Sequence, residues 1–365
     1  MIDPDLLERV CAEAADRPGA VADIVAEIVD RRCPLVRDGE RRELVDAAIA
    51  RLDGLDVLAA HLADPDVDEV IVHRGTEVWV ERDGRLRHVD ELRPGAIDVV
   101  VQRAIAPLGR RLDRTDPIID ARLVDGSRLC AVVAPVAVDG PIVAIRRHRL
   151  RQVPVTAFTT PEVGALVDDL LRQRANVLVT GATSSGKTTL LAAMLDRCPR
   201  RERIVVIEDT AELDLPHRHL VRLETRRATV DGVRAIDADE LVRTALRLRP
   251  DRLVVGEFRG NEALAALRAL NTGHDGSLAT CHANSALDGL RRLEGLVLQA
   301  APSWPIAAIR RQVTRSIDAV VHVERRDGAR YVREVVEPIE SDGEADGRLL
   351  ASAGRVCAVF ERGRR

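Results

Sequence analysis

The sequence predicts a two-part fold, in which an α/β domain with a mostly parallel sheet follows a smaller α+β domain. Three observations predict it. Between residues 163 and 345, short apolar runs alternate with helical stretches, as in a parallel sheet covered by helices. Between residues 63 and 150, apolar and polar residues alternate around Asp-Gly turns, which indicates hairpins. Before residue 63, apolar positions recur at helical spacing.

The first 150 residues contain a helical region and then strands. Residues 1–62 carry the helical spacing. From Val67 the stretch "DEVIVHRGTEVWVERDGRLRHV" alternates on both sides of Asp83-Gly84, which predicts a β-hairpin. A helix is expected over residues 95–107. The charge-poor stretch 129–145 contains two prolines and an Asp-Gly turn, so it predicts two short strands rather than a membrane span.

Residues 151–162 contain two prolines and mixed polarity, which predicts a linker. The following domain, over residues 163–345, has four short apolar runs as its expected strands: "NVLVTG", "RIVVIED", "RLVVGE" and "SLATCH". Helices are expected over residues 239–248 and 262–270. Residues 346–365 are rich in Arg and Gly and are interpreted as a C-terminal tail.

Composition excludes several classes of protein. With 46% hydrophobic and 31% charged residues, the chain is expected to be a soluble globular protein. A net charge of −4 and only six aromatic residues argue against direct nucleic-acid binding. The six cysteines are scattered without a CxxC pair, which argues against a disulfide framework or a zinc ribbon and fits a reducing compartment. The acidic N-terminus is unlike a signal peptide. We therefore expect a cytoplasmic protein.

One octapeptide carries the strongest chemical signal. Gly181 to Thr188, "GATSSGKT", matches G-x-x-x-x-G-K-[ST] between an expected strand and an expected helix. In such a loop the backbone N–H groups surround phosphate oxygens, the lysine reaches the β- and γ-phosphates, and the hydroxyl ligates Mg²⁺. The predicted nucleotide-binding residues are Gly181, Ala182, Thr183, Ser184, Ser185, Gly186, Lys187, Thr188 and Thr189. Lys187 is the only lysine among 55 basic residues, which indicates that arginine cannot replace it there.

Acids and histidines follow the other expected strands. Nucleotide hydrolysis needs a carboxylate that helps to hold Mg²⁺ and a group that activates water. Glu208 and Glu257 each end an apolar run, where the carboxyl ends of parallel strands meet at one edge of the sheet. His274 and His282, in "NTGHDGSLATCHANS", are either γ-phosphate ligands or buried structural histidines.

The ordered set "GATSSGKTT", "IEDTAEL", "VRLETR", "RPDRLVVGEFRG" and "NTGHDGSLATCHANS" resembles the secretion-superfamily ATPases of type II and type IV secretion and pilus assembly. Within that superfamily it looks most like the tight-adherence (Flp) pilus branch. The resemblance covers roughly residues 65–325. It implies a RecA-like P-loop NTPase domain in a homo-hexamer that hydrolyses ATP with Mg²⁺. Inner-membrane platform proteins would be its partners, at the inner face of the cell membrane.

The resemblance also implies roles for individual residues. Glu208 matches the acidic-box glutamate that activates water, and Glu257 matches the Walker B position, which acts on Mg²⁺ through water together with Thr188. Either glutamate could be the catalytic base. His274 and His282 match the histidine box. The family neutralises γ-phosphate charge with arginines, for which the candidates are Arg122, Arg128, Arg146, Arg147, Arg222 and Arg226.

Two departures from the family pattern qualify the resemblance. The N-terminal region is shorter than in many members, which leaves the mode of docking on a membrane partner open. The tetracysteine zinc insert of the type II secretion branch is absent, which argues against that branch. A nucleic-acid motor related to conjugation and a nucleotide-binding scaffold with little hydrolysis are the alternative functions.

Overall fold

The computed structural model describes residues 4–15, 17, 20–34, 36–52, 55, 57–82, 84–123, 125–147, 153–228, 232–271, 273–326, 328–340 and 345–362. The chain divides near residue 150 into two compact units. In the described part of the chain, no helix is long and apolar enough to cross a bilayer.

Helices occupy the start of the first unit. Their bounds are α1 (Pro4–Ala15), α2 (Val21–Arg32), α3 (Asp38–Leu52) and α4 (Val57–Ala63). The first three form a core of their own, in which Val25, Ile28 and Leu44 are buried. Helix α4 instead packs on the sheet that follows, with Leu58 and Leu62 in the core of that sheet. The helical cluster therefore ends with α3, ten residues before the predicted boundary at residue 62.

The rest of the first unit is an antiparallel sheet covered by a helix. Its elements are β1 (Glu69–His73), β2 (Glu77–Arg82), β3 (Arg85–Glu91), α5 (Ala96–Ile105), β4 (Ile118–Arg122), β5 (Arg128–Val132) and β6 (Ile142–Arg146). The strands are ordered β3-β2-β1-β6-β5-β4. The predicted hairpin, the helix over residues 95–107 and the two strands over 129–145 are all confirmed.

The second unit contains a nine-stranded sheet in the order β15-β14-β13-β12-β7-β11-β10-β8-β9. Strands β12 to β9 in this order are parallel, and β13 to β15 are antiparallel. The strands are β7 (Val177–Gly181), β8 (Ile204–Glu208), β9 (Leu220–Glu224), β10 (Arg252–Val255), β11 (Leu278–His282), β12 (Ala319–Arg326), β13 (Ala329–Ile339), β14 (Asp346–Ser352) and β15 (Arg355–Val356). The predicted mostly parallel sheet is confirmed.

Helices cover both faces of this sheet. They are α6 (Pro161–Arg172), α7 (Lys187–Asp196), α8 (Ala238–Ala245), α9 (Glu262–Leu270), α10 (Ala286–Ala300) and α11 (Ile306–Ser316). Helices α6 and α7 pack on one face, and α8 to α11 pack on the other. Strand β7 serves both cores, because Val177 and Val179 face the first while Leu178 faces the second. Such continuous apolar runs are typical of strands that are buried on both faces.

Two stretches differ from the prediction. The described part of the expected linker, residues 153–162, contributes Val155 and Phe158 to the core beside α7. The expected C-terminal tail contains β14 and β15, which extend the sheet because β14 pairs antiparallel with β13 and β15 pairs antiparallel with β14. Their order comes from packing beside α7 and from pairing with β13, which the apolar period of the sequence does not report.

A buried ion pair closes the amino-terminal edge of the parallel strands. Arg252 opens β10 with 1% of its surface exposed, and its guanidinium pairs with Glu202. It also donates to the carbonyls of Gly276 and Leu171, each at 3.0 Å. Arg174 contacts Glu202 from the other side at 2.8 Å. This network ties α6 to the loops before β8, β10 and β11.

We expect Arg252→Ala to lower the free energy of unfolding by about 3 kcal/mol. The substitution leaves two buried carbonyls without a hydrogen-bond donor and removes one of the arginines that pair with the buried Glu202 carboxylate. The matched control is Arg243→Ala, which removes the exposed i,i+4 pair with Asp239 on α8 and should cost less than about 1 kcal/mol. Urea unfolding of the three proteins measures both values. Equal losses in the two variants would contradict a structural role for the buried network.

Candidate functional site

The phosphate loop joins β7 to α7, and its geometry depends on two glycines. A Cβ at Gly181 would overlap the Ser185 hydroxyl and the Val323 carbonyl. Gly186 has φ +98°, in the left-handed region that favours glycine, and it is the residue before the first turn of α7. The backbone therefore curls tightly at the amino-terminal end of a helix, where anions bind favourably.

Lys187 lies inside this loop. Its Nζ donates to the carbonyls of Gly181 and Ala182, at 3.0 and 2.9 Å, and the residue is 9% exposed. Burial lowers the pKa of Lys187, and the nearby Glu257 carboxylate opposes that shift. The buried Ser185 hydroxyl has no hydrogen-bond partner within the described residues. An unpaired buried hydroxyl beside a buried cation is suited to an anionic ligand.

Glu208 ends β8 as a buried carboxyl, 6% exposed. Its Oε1 accepts from the backbone N–H groups of Glu212 and Leu213, each at 3.1 Å, so the following loop wraps around the side chain. Burial raises the pKa of Glu208 to about 7, although those two N–H groups oppose the shift. A Cβ on Gly256 would stand 2.8 Å from Glu208 Cγ, which explains the glycine before Glu257.

Glu257 follows β10 one residue beyond Gly256 and contacts two side chains, Arg259 and His282. The Arg259 Nε donates to its Oε2 at 2.7 Å, and His282 Nδ1 lies 3.7 Å from its Oε1. The other nitrogen of His282 lies 3.1 Å from the Thr183 hydroxyl of the phosphate loop. The imidazole therefore connects Glu257 to the loop. Burial, followed by the Lys187 cation, lowers the pKa of His282, which favours a neutral imidazole at pH 7.

The two histidines are not brought together within the chain. His282 ends β11 opposite Gly181, whereas His274 precedes that strand. The five-residue strand between them spans about 13 Å, at roughly 3.3 Å per residue. The Nδ1 of His274 instead lies 3.2 Å from the carbonyl of Ala269, at the end of α9. Within one chain the two residues lie at opposite ends of β11, and their histidine-box roles stay predictions.

The candidate arginines fall into two groups. Arg122, Arg128 and Arg146 lie opposite one another on β4, β5 and β6, so their side chains share one face of the first unit's sheet. Arg128 also pairs with Asp120 at 2.6 Å, and Arg147 donates to the Asp64 carbonyl at 2.6 Å.

In the second unit, Arg222 pairs with Asp214 at 3.3 Å and donates to the Ala211 carbonyl, so it supports the loop around Glu208. Arg226 lies on the surface and donates to the Arg234 carbonyl.

The oxygen donors of the site suit a hydrated magnesium ion. Thr188 stands in the first turn of α7, and the Glu257 carboxylate interacts electrostatically with Lys187 beside it. Mg²⁺ prefers oxygen ligands and usually keeps several waters. A protein therefore typically contributes only a few groups to the ion, such as one hydroxyl and one carboxylate that acts through water. The described residues hold no cluster of three His, Cys, Asp or Glu side chains that would bind a metal without a nucleotide.

Sequence patterns missed Arg259 and Gly256. Arg259 contacts Glu257 and reaches Asp209 Oδ2 at 3.3 Å, so one guanidinium joins the ends of β8 and β10. Both residues lie in the stretch "VVGEFRG", but the sequence contains so many arginines that no pattern distinguishes this one. The glycine's role depends on the neighbouring strand, which a linear pattern does not show.

A phosphate loop after a central parallel strand, with acids at the ends of neighbouring strands, defines the P-loop class of nucleotide-binding domains. The family model described as "Type II/IV secretion system protein" matches residues 52–344, and the chain belongs to that family.

Individual relatives agree with this assignment. A protein of Mycobacterium tuberculosis (strain H37Rv) that is named for conjugal transfer is 37% identical over 83% of this chain and 90% of its own length. The type IV secretion system protein PtlH of Bordetella pertussis is 34% identical over 79% of this chain and 94% of its own length. The crystal structure of the pilus retraction motor PilT with bound ADP matches with a TM-score of 0.60 at 21% identity. It covers 79% of this chain and 83% of that chain, and the likeness shows the shared fold.

Lys187→Arg should reduce ATP turnover roughly 100-fold or more, because the planar guanidinium cannot occupy the narrow space between the loop carbonyls. The control is the reverse exchange, Arg197→Lys, at the exposed pair with Asp168 after α7. Steady-state phosphate release at saturating ATP measures both. Near-normal turnover of Lys187→Arg would show that the loop accepts arginine.

Glu208 should make the protein less stable as the pH rises. Its folded pKa of about 7 exceeds the ordinary value of 4.5, so folding favours the protonated carboxyl. This contribution is complete below about pH 4.5 and is lost as the pH rises through about 7. The shift corresponds to about 3 kcal/mol. Glu208→Gln removes this titration. Urea unfolding should therefore show that the free energy of unfolding falls less between about pH 5 and about pH 8 in the variant than in the wild type. Parallel losses in both proteins would contradict the buried titration.

Proposed function

We propose that the protein is an ATP-hydrolysing motor that works as a homo-hexamer and powers secretion or pilus assembly. Its partners would be inner-membrane platform proteins, and it would act at the cytoplasmic face of the membrane. The observation that carries the proposal is the meeting of Lys187, Glu257 and His282 around one phosphate loop. Membership of the type II/IV secretion family supports it.

The proposed roles follow from the environment of each group. The loop N–H groups and Lys187 bind the β- and γ-phosphates, and the neutral His282 donates or accepts at the γ-phosphate end. Thr188, and Glu257 through water, would hold Mg²⁺, which would neutralise charge on the transferred phosphoryl group. Glu208 is oriented by two backbone N–H groups, and a carboxyl with a pKa of about 7 is suited to take a proton from water near neutral pH. We therefore favour Glu208 as the base.

Arginines supply the positive charge that neutralises the γ-phosphate in this proposal. The aligned row of Arg122, Arg128 and Arg146 is the candidate for neutralising γ-phosphate charge within an assembly. Such a guanidinium stabilises the transition state by neutralising developing charge. Single substitutions of the three residues would identify the contributing side chain.

Two branches of the family remain candidates for the biological task. The sequence motifs resemble the tight-adherence (Flp) pilus branch, which implies pilus assembly. A role connected with conjugal transfer is the second candidate, because the Mycobacterium tuberculosis relative is named for that process. The net charge of −4 and the six aromatic residues argue against direct contact with DNA in either case.

The test compares ATP turnover and sedimentation of the wild type, Lys187→Ala and Glu257→Gln. We expect each variant to lose roughly 100-fold or more of the turnover while its fold is kept. Glu240→Gln is the control, since it removes a carboxylate that pairs with Arg234 at the surface. A hexamer in the wild type supports the ring.

Three outcomes would contradict parts of the proposal. Wild-type turnover no faster than that of Lys187→Ala would exclude a motor and favour a nucleotide-binding scaffold. Turnover that rises severalfold on addition of single- or double-stranded DNA would favour the nucleic-acid motor. A monomer at all concentrations, with and without ATP, would exclude the hexamer.

A further inference from the structure

One side chain covers the outside of the phosphate loop. Arg330 opens β13, and its Nε donates to the Ser184 carbonyl at 3.5 Å. Its Cδ would stand 2.7 Å from a Cβ on Gly186, and Phe158 Cε1 would stand 3.3 Å from the same point. Gly186 is therefore flanked on one side by the stem of Arg330 and an aromatic ring. The phosphate-binding roles assigned above use neither residue.

The support beneath Arg330 is rigid. Phe158 is 3% exposed in the core beside α7. Its carbonyl accepts from the Val332 N–H at 2.7 Å, which fastens the start of β13 to this segment. Strand β13 also pairs with β12 over residues 329–336, with Arg330 opposite Arg325. The exposed Arg330 guanidinium thus stands on a fixed base at the edge of the loop.

The order of the strands gives the direction of a bound nucleotide. Glu257 and His282 follow β10 and β11, which lie on one side of β7. The γ-phosphate end of a nucleotide belongs there, beside the acid and the imidazole. The nucleoside end must then extend away from them, and β12 and β13 lie on the other side of β7. Arg330 stands on that side.

We propose that Arg330 binds the nucleobase by stacking its guanidinium on the face of the ring. This inference rests on the proposed nucleotide-binding function and adds a base subsite to it. A guanidinium is planar and weakly hydrated, and it stacks on aromatic faces through cation–π attraction. Because every base has such a face, the contact adds affinity for a nucleoside over bare phosphate without selecting a particular base.

The test separates the base from the phosphates. Calorimetry compares ADP with inorganic pyrophosphate, both with Mg²⁺, on the wild type, Arg330→Ala and Arg330→Met. The Met variant keeps an unbranched stem over Gly186, so it maintains packing if the Ala variant does not fold. Arg333→Ala is the matched control, since it removes an exposed arginine from the same strand.

We expect both Arg330 variants to bind ADP about 5- to 30-fold more weakly and pyrophosphate within about twofold of the wild type. Arg333→Ala should leave both ligands unchanged. Arg330→Lys keeps the positive charge but lacks the planar guanidinium that stacks on the base. Its ADP affinity should therefore lie between those of Arg330→Ala and the wild type.

Several results would overturn the base subsite. An equal loss for ADP and pyrophosphate would make Arg330 a phosphate-binding charge, and an unchanged ADP affinity would remove it from the site. If only the base subsite is wrong, the wild type still binds ADP and Lys187→Ala does not. If the wild type and Lys187→Ala bind ADP equally poorly, the proposed nucleotide-binding function fails, and the base subsite fails with it.

Discussion

The parallel pairing of β7 with its neighbours is the constraint on which the whole site depends. Gly181 lies opposite His282 in the β7–β11 ladder, and Val255 lies opposite Ile207 in the β10–β8 ladder. These registers bring the phosphate loop, the imidazole and both acids to one edge of the sheet, although they are distant in sequence. A slip of one residue in either ladder would turn every side chain of a strand to the opposite face.

The two glutamates at this edge differ in their surroundings more than in their position. Glu208 is enclosed by its own loop and by the backbone at Gly256, and burial raises its pKa. Glu257 is partly exposed and contacts a guanidinium and an imidazole. Pairs of carboxyls whose environments differ in this way are a common means of dividing proton transfer from charge stabilisation.

The parts of the fold that local patterns control could be predicted from sequence. The phosphate loop and the strands that end at Glu208 and Glu257 have short-range signals, because a glycine-rich turn and an apolar run need no distant partner. The contact of His274 could not be predicted, since its partner is the Ala269 carbonyl at the end of α9. Nor could the role of Arg330, which depends on the pairing of β13 with a segment more than 150 residues earlier.

The antiparallel extension of the sheet has a practical consequence for shortened versions of this chain. Strand β14 covers β13, an eleven-residue strand that also supports Arg330. A chain cut before residue 346 would leave without partners those backbone N–H and C=O groups of residues 334–339 that bond to β14. Long uncovered edges of this kind pair readily with other molecules, so such a fragment is a candidate for aggregation rather than a minimal working domain. Beyond β15, Arg362 contacts Asp275 and Asp318, so the last described residues hold the loops at the amino-terminal ends of β11 and β12.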